Sequence, residues 1–251
     1  MQEKKLIKEI VCEHQSLFAL SFKAGQMKVS PVTLTFNEPI DTVKPIISKV
    51  RPLSHKELAV VQEWITSSLK AGIIEPSSST WRSTVFPVRK PDKVDSSGKR
   101  SEQWRLVTPF YQLNKLLNIN ATPMPNIQDV RQAVAGSELF SVVDLTQSFF
   151  QIPLAPESRP YTAFGATGTR LYQYKTVPMG CTISTGLLQS ALTTILSDFY
   201  FAGCIVYCDD ILVYSPQPKE RHMKLFHAIL DKLKEAGEFL KSRNCKLLTK
   251  E

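Results

Sequence analysis

The chain has 251 residues, 43% hydrophobic and 22% charged, with 10 glycines and 16 prolines; this excludes a disordered or collagen-like protein and a disulfide-stapled miniature fold. Lysine and arginine outnumber aspartate and glutamate by 31 to 23, a net charge of +8 that favours a polyanionic partner such as nucleic acid. The five cysteines (Cys12, Cys181, Cys204, Cys208, Cys245) make no CxxC pair, which argues against a zinc site and for reduced thiols in an intracellular, cytoplasmic setting.

No apolar stretch follows Lys4, Lys5 and Lys8, so no secretory signal is expected. Residues 176–197 are uncharged, but nine of these 22 positions are Ser, Thr or Gln, which excludes a membrane span. Residues 1–52, broken by Pro31, Pro39, Pro45 and Pro52, read as an extended N-terminal arm in which only 32–36 alternates like a strand. Ser54 and Glu57 then make a capping box for a helix carrying Leu58, Val61, Trp64, Ile65 and Leu69, stopped by Gly72. Residues 85–88 and 104–107 read as strands of a hairpin whose tip is basic. Residues 89–105 hold six cations and three acids.

Asn126 predicts the cap of a helix with Ile127, Val130 and Val134 on one face, ended by Gly136. Residues 139–145 read as a buried strand, apolar except for Ser141 and Asp144, and 161–164 and 170–175 as two strands around a turn at 165–168. The spacing predicts a helix over 185–197, with Leu188 and Leu192 in its apolar stripe and Gln189, Ser190, Thr193 and Thr194 opposite. Residues 204–207 and 211–214 are apolar strands meeting at a turn that holds Asp209 and Asp210. An amphipathic helix over 219–236 follows, and 239–251 reads as the start of another hairpin. Together these elements predict an α+β fold, helices covering one face of an antiparallel sheet.

Asp144 and the Asp209–Asp210 pair lie 65 residues apart, each at the tip of an apolar strand, so neighbouring strands of one sheet would bring them to a common edge. Clustered carboxylates raise one another's pKa or recruit a divalent cation, and a donor set of few oxygens suits Mg²⁺. Two such ions would support an in-line phosphoryl transfer. Asp-Asp is also an ordinary turn dipeptide, and spacing alone leaves polymerase and nuclease open.

The wording of the chain narrows this choice. Tyr207-Cys208-Asp209-Asp210 followed by Ile-Leu-Val-Tyr-Ser resembles the YxDD box of reverse transcriptases, and Val143-Asp144-Leu145 with 149–154 resembles their first-aspartate motif. Together with "SRPYTAF", "QLNK" and "AGIIEPSSSTW", the chain is similar to the gypsy-type LTR retrotransposon and retroviral branch from about residue 13 to its end. The resemblance implies a right-hand polymerase: 53–136 mainly fingers, 137–238 mainly palm, 239–251 the start of a primer-grip-like segment, with thumb, connection and RNase H outside these residues.

It further implies an RNA-directed DNA polymerase using two Mg²⁺ ions, or Mn²⁺, with Asp144 and Asp209 as metal ligands and Asp210 completing the catalytic acids. Lys90 and Arg105 would grip the dNTP triphosphate, Phe149 would exclude a 2′-hydroxyl, and Met179-Gly180 would lie beneath the nucleotide. Tyr207 and Cys208 would meet the primer end, and Lys241, Arg243 and Lys246 the phosphates of a template-primer. Plain core packing remains open for Phe149, Tyr207, Cys208 and Met179, and a solvated loop for Lys90 and Arg105. The implied setting is a polyprotein, in the cytoplasm or in virus-like particles, with thumb, RNase H and integrase as neighbouring domains.

The chain departs from the family at Pro109-Phe110-Tyr111, which replaces an Asp-aromatic-Arg block and removes a fingers salt bridge. It departs again at residues 177–181 and in extra residues around 94–98. A catalytically silent nucleic-acid-binding scaffold and a metal-dependent nuclease are the rival readings. Binding without extension marks the first, and cleavage without dNTPs the second.

Overall fold

The computed structural model describes residues 9–10, 12–17, 24–94, 98, 100–119, 122–166, 168–240 and 245–249. Ser54 caps helix α1 (His55–Ala71): its hydroxyl accepts from the Glu57 N–H while the Glu57 carboxylate accepts from the Ser54 N–H. Gly72, at φ 77°, ends the helix in the left-handed region, where a Cβ costs energy. Val61 and Ile65 of α1 are buried, while Leu69 reaches the surface.

Next come β1 (Ile74–Pro76), β2 (Ser83–Thr84) and the hairpin β3 (Phe86–Val94) with β4 (Arg100–Val107), then the short helices α2 (Tyr111–Leu116) and α3 (Ile127–Ala133). A capping box from Asn126 to Asp129 starts α3 as the sequence predicts. Its proposed apolar face does not hold, because Ile127 is 69% exposed and no residue of the helix is buried. A helix of seven residues, about two turns, is too short to commit a stripe to a core.

Strand β5 (Leu139–Asp144) is followed by β6 (Phe164–Gly165), β7 (Tyr172–Tyr174), helix α4 (Ser184–Ile195), β8 (Cys204–Tyr207), β9 (Asp210–Ser215), helix α5 (Lys219–Glu235) and β10 (Lys246–Thr249). Two four-stranded sheets result. One runs β1-β7-β6-β2 and contains a parallel pair, β2 with β6; the other, β10-β5-β9-β8, is antiparallel throughout. On the antiparallel sheet Val143, Ile211 and Val213 are fully buried against Leu188 and Leu192 of α4 and Ile229, Leu230 and Leu233 of α5. Each such side chain contributes roughly 1.5–3 kcal/mol of apolar burial. Ser141, the polar exception in β5, is explained by a buried network: its hydroxyl lies 2.9 Å from His222 Nε2, whose Nδ1 lies 2.9 Å from the Ser215 hydroxyl. A second core joins α1, β1 and α2 through Val61, Ile65, Ile74, Leu113, Phe110 and Phe164.

Several expectations change. The arm is extended over much of its described length, bridging Val32 to Leu154 and Ile47 to Arg82, but residues 12–17 form helical turns and Ile40–Thr42 a 3-10 turn. The strand expected at 161–164 begins only at Phe164: Pro156 opens a 3-10 helix (Pro156–Thr162), whose last hydroxyl donates to the Arg159 carbonyl. Of the hairpin start expected over 239–251, the described residues show Leu240 bridged to Leu145 and the edge strand β10 paired with β5, while residues 241–244 and 250–251 lie outside the described residues.

Candidate active site

Strand register brings the acids together. In the β5–β9 ladder Val143 lies opposite Ile211 and Asp144 opposite Asp210, and the Leu145 N–H donates to the Asp209 carbonyl at 3.3 Å. Directly opposed residues place their Cβ atoms about 4.5–5.5 Å apart, so two carboxylates share one sheet edge. The Asp210 carboxyl is pushed above the ordinary range, first by burial and then by the charges of Asp209 and Asp144. A divalent cation would relieve that repulsion, and an all-oxygen donor set matches Mg²⁺.

The turn between β8 and β9 is held from beneath. Cys208 sits at φ 56°, a conformation costly for a residue with a Cβ, and its N–H donates to Gln189 Oε1 at 3.1 Å. Gln189 Nε2 donates in turn to the Val206 carbonyl at 2.8 Å. Gln189 is therefore buried, not on an exposed polar face as its spacing suggested. Gln151 plays a matching part beside β5, donating to the carbonyls of Thr146 and Phe239 and accepting the Phe239 N–H. Neither amide was legible as a positioning residue. Their one signal was a long polar side chain inside an apolar run.

Asp144 and Asp209 line a cleft of about 690 Å³ together with Lys90, Arg105, Phe149, Met179 and Gly180. Asp210, Tyr207 and Cys208 do not line it; Tyr207 is 55% exposed at the hairpin, and burial followed by Asp209 and Asp210 pushes the Cys208 thiol up. Lys246 is exposed at the start of β10, opposite Val142, while Lys241 and Arg243 lie outside the described residues.

The cations reach the cleft by strand alternation. Val88 pairs with Arg105 and Lys90 with Gln103, which puts Lys90 and Arg105 on one face of the hairpin. The opposite face consumes the acids: Arg89 pairs with Asp92 and Glu102, and Lys56 of α1 bonds Glu102 at 2.7 Å. Among the described residues neither Lys90 nor Arg105 has an acidic partner. Arg105 Nη2 instead lies 3.7 Å from Met179 Sδ.

Gly180 has a packing reason. Its φ is +94°, and a Cβ there would stand 3.0 Å from the Thr108 carbonyl. The Asn114 amide donates to the Gly180 carbonyl at 2.9 Å and its oxygen accepts the Thr182 N–H, tying this loop to α2. Phe149 lies in a 3-10 turn (Ser148–Gln151), half-buried, with one side packed on the core and another lining the cleft. At the departing block Phe110 is buried and Tyr111 is 76% exposed. Among the described residues no helix is long and apolar enough to cross a membrane.

Residues 88–251 match the family model described as reverse transcriptase (RNA-dependent DNA polymerase). The chain is 29% identical over 238 residues to the retrovirus-related Pol polyprotein from transposon 297 of Drosophila melanogaster, covering 92% of this chain and 21% of that protein. It is 32% identical over 211 residues to the genome polyprotein of Petunia vein clearing virus, covering 82% of this chain and 9% of the polyprotein. It thus spans about a fifth or less of these relatives. Among solved structures, the foamy viral protease-reverse transcriptase in complex with RNA/DNA hybrid superposes with TM-score 0.82 at 22% identity, covering 98% of this chain and 31% of that one. The same protein in complex with dsDNA gives 0.81 at 24% identity, covering 99% and 49%. The mixed α+β fold is therefore that of retroviral reverse transcriptases, and the chain belongs to the reverse transcriptase (RNA-dependent DNA polymerase) family.

Proposed function

We propose that this chain carries the polymerase centre of an LTR-retroelement Pol polyprotein and transfers a nucleotide from a dNTP to a primer 3′-hydroxyl on an RNA or DNA template. The observation that carries the reading is the register of Asp144 against Asp210, with Asp144 and Asp209 lining one cleft together with Lys90 and Arg105. Asp144 and Asp209 would hold two Mg²⁺ ions, or Mn²⁺, and Asp210 adds negative charge at the same edge. Such ions, when bound, lower the pKa of the attacking hydroxyl and neutralise the leaving oxygen.

The chain's own side chains do the rest. Lys90 and Arg105 grip the triphosphate and neutralise charge as the bond to the α-phosphorus forms and pyrophosphate leaves. Met179 and Gly180 floor the nucleotide, and the rigid ring of Phe149 leaves no room for a 2′-hydroxyl. Tyr207 and Cys208 meet the primer end; Lys246, with Lys241 and Arg243, meets backbone phosphates. In this reading the hairpin belongs to the fingers and the antiparallel sheet to the palm. The template-primer partner is supported by the nucleic acid bound in the foamy viral complexes.

Primer extension on an RNA template tests it. The chain should extend in Mg²⁺ or Mn²⁺, and Asp209→Asn should abolish extension while circular dichroism stays unchanged. Unaltered extension by that variant refutes the assignment, and template-primer binding without extension in either metal by the parent chain favours the silent scaffold.

A further inference from the structure

Away from the cleft, Glu13, His14 and His227 bring one donor atom each within 4.8 Å of one another, the one such His/Cys/Asp/Glu trio among the described residues. His14 Nε2 stands 3.0 Å from His227 Nδ1, and His227 Nδ1 stands 3.4 Å from Glu13 Oε2. In a tetrahedral centre with bonds of about 2.0–2.2 Å, neighbouring donors lie roughly 3.3 Å apart. Two of the three spacings match that size, and the third lies within 4.8 Å. His14 is 5% exposed, and its other nitrogen, Nδ1, is buried without a hydrogen bond among the described residues, 3.6 Å from Asp231 Oδ1.

Hydrogen bonding alone leaves this arrangement unsatisfied. One proton on His227 Nδ1 can serve either His14 or Glu13 well, and if that nitrogen is bare, its lone pair faces a carboxylate. A cation accepts all three electron pairs at once. It also frees a proton for His14 Nδ1 to donate to Asp231, the carboxylate partner that commonly orients a metal-bound imidazole.

We infer that Glu13, His14 and His227 form a metal site for a single divalent cation of the zinc class, with Asp231 orienting His14 and water completing the coordination. Two imidazoles and one carboxylate favour zinc over magnesium, which demands six oxygens. The cysteine count could not reveal the site, because no thiol enters it. His14 and His227 are 213 residues apart, so the ion fastens the helical turns of residues 12–17 to α5, closing a long loop. His227 and Asp231 are one helical turn apart and meet His14 from the same face of α5.

Zinc titrated into the chelator-stripped 251-residue chain should load one ion, read by calorimetry and by metal analysis after gel filtration. Cobalt(II) should give the visible bands of a four-coordinate site, and zinc should raise the melting temperature. His227→Gln should lose the ion and that thermal shift, and Asp231→Asn should weaken binding roughly 10- to 100-fold. Asp209→Asn, which alters the other acids, should still load, and excess Mg²⁺ should not displace the zinc. A folded parent chain that takes up no zinc, or unchanged uptake by His227→Gln, overturns the proposal. If His227→Gln fails to fold, the exposed Glu13→Gln and Asp231→Asn carry the test, and unchanged affinity in both overturns it.

Discussion

The sheet that carries the acids and the hairpin that carries the cations are built in opposite ways. Val143, Ile211 and Val213, beside the acids, are fully buried, and Gln189 bonds the turn from below. Along β4 no residue is fully buried, and the hairpin leans on α1 through exposed ion pairs such as Lys56 with Glu102, which screening makes weak. Negative charge thus sits on a buried frame and positive charge on a more exposed element, the arrangement that the proposed grip on a triphosphate calls for. Under the proposed function, repulsion held in a buried frame is what a bound cation would relieve. A grip on a substrate that arrives and leaves needs the other construction.

The largest expected effect separates the two by kinetics. Asp144→Asn removes a charge from the rigid edge and should lower single-turnover extension by at least about 1000-fold, several kcal/mol of barrier, with little change in dNTP affinity. Lys90→Ala on the hairpin should act chiefly on KM, raising it roughly 10- to 100-fold, as for the loss of a charged hydrogen bond to phosphate. Equal effects of both substitutions on kcat would erase the distinction.

The second test sharpens the comparison in stability. Ile211→Ala, a fully buried site in β9, should cost about 2–5 kcal/mol by denaturant unfolding, because the packed sheet cannot collapse around the void. Val88→Ala on the hairpin, where the side chain is 43% exposed, should stay within about 0.5 kcal/mol. A hairpin substitution as costly as the sheet substitution would show that the two elements share one core.

Much of this was legible along the chain, for reasons that differ by residue. The Ser54–Glu57 box, the Gly72 stop and the Asp209–Asp210 hairpin are local: their signals lie within a few residues, and the structure keeps them. The β1-β7-β6-β2 sheet was not anticipated, because its strands are two or three residues long and are paid for by partners as distant as Ile74 and Tyr174. Gln189, expected on a polar face, is buried for the same reason, and Gln151 drew no expectation: a buried amide looks like an exposed one until its backbone partners are placed. The acids stood out in sequence, but their opposition across β5 and β9 is a property of register, which no single strand encodes.

The smallest effect contrasts two acids whose pKa burial raises. Asp210 sits at the open edge, where water and cations reach it, and its carboxyl rises through burial and its acidic neighbours. Glu238, just past α5, is 2% exposed, has no hydrogen-bond partner for either oxygen among the described residues, and is pushed up to about 8 by burial. A folded-state pKa above the unfolded value of 4.5 gives stability that is full below pH 4.5 and lost as pH rises toward about 8. Glu238→Gln keeps the shape and removes the titration. It should leave stability nearly unchanged at pH 4.5 and raise it by about 2 kcal/mol at pH 6, with the gap still widening toward pH 8, flattening the alkaline side of the unfolding profile. If the parent and the variant show the same pH dependence, Glu238 is solvated or paired, and the uncompensated charge belongs to the cleft edge alone.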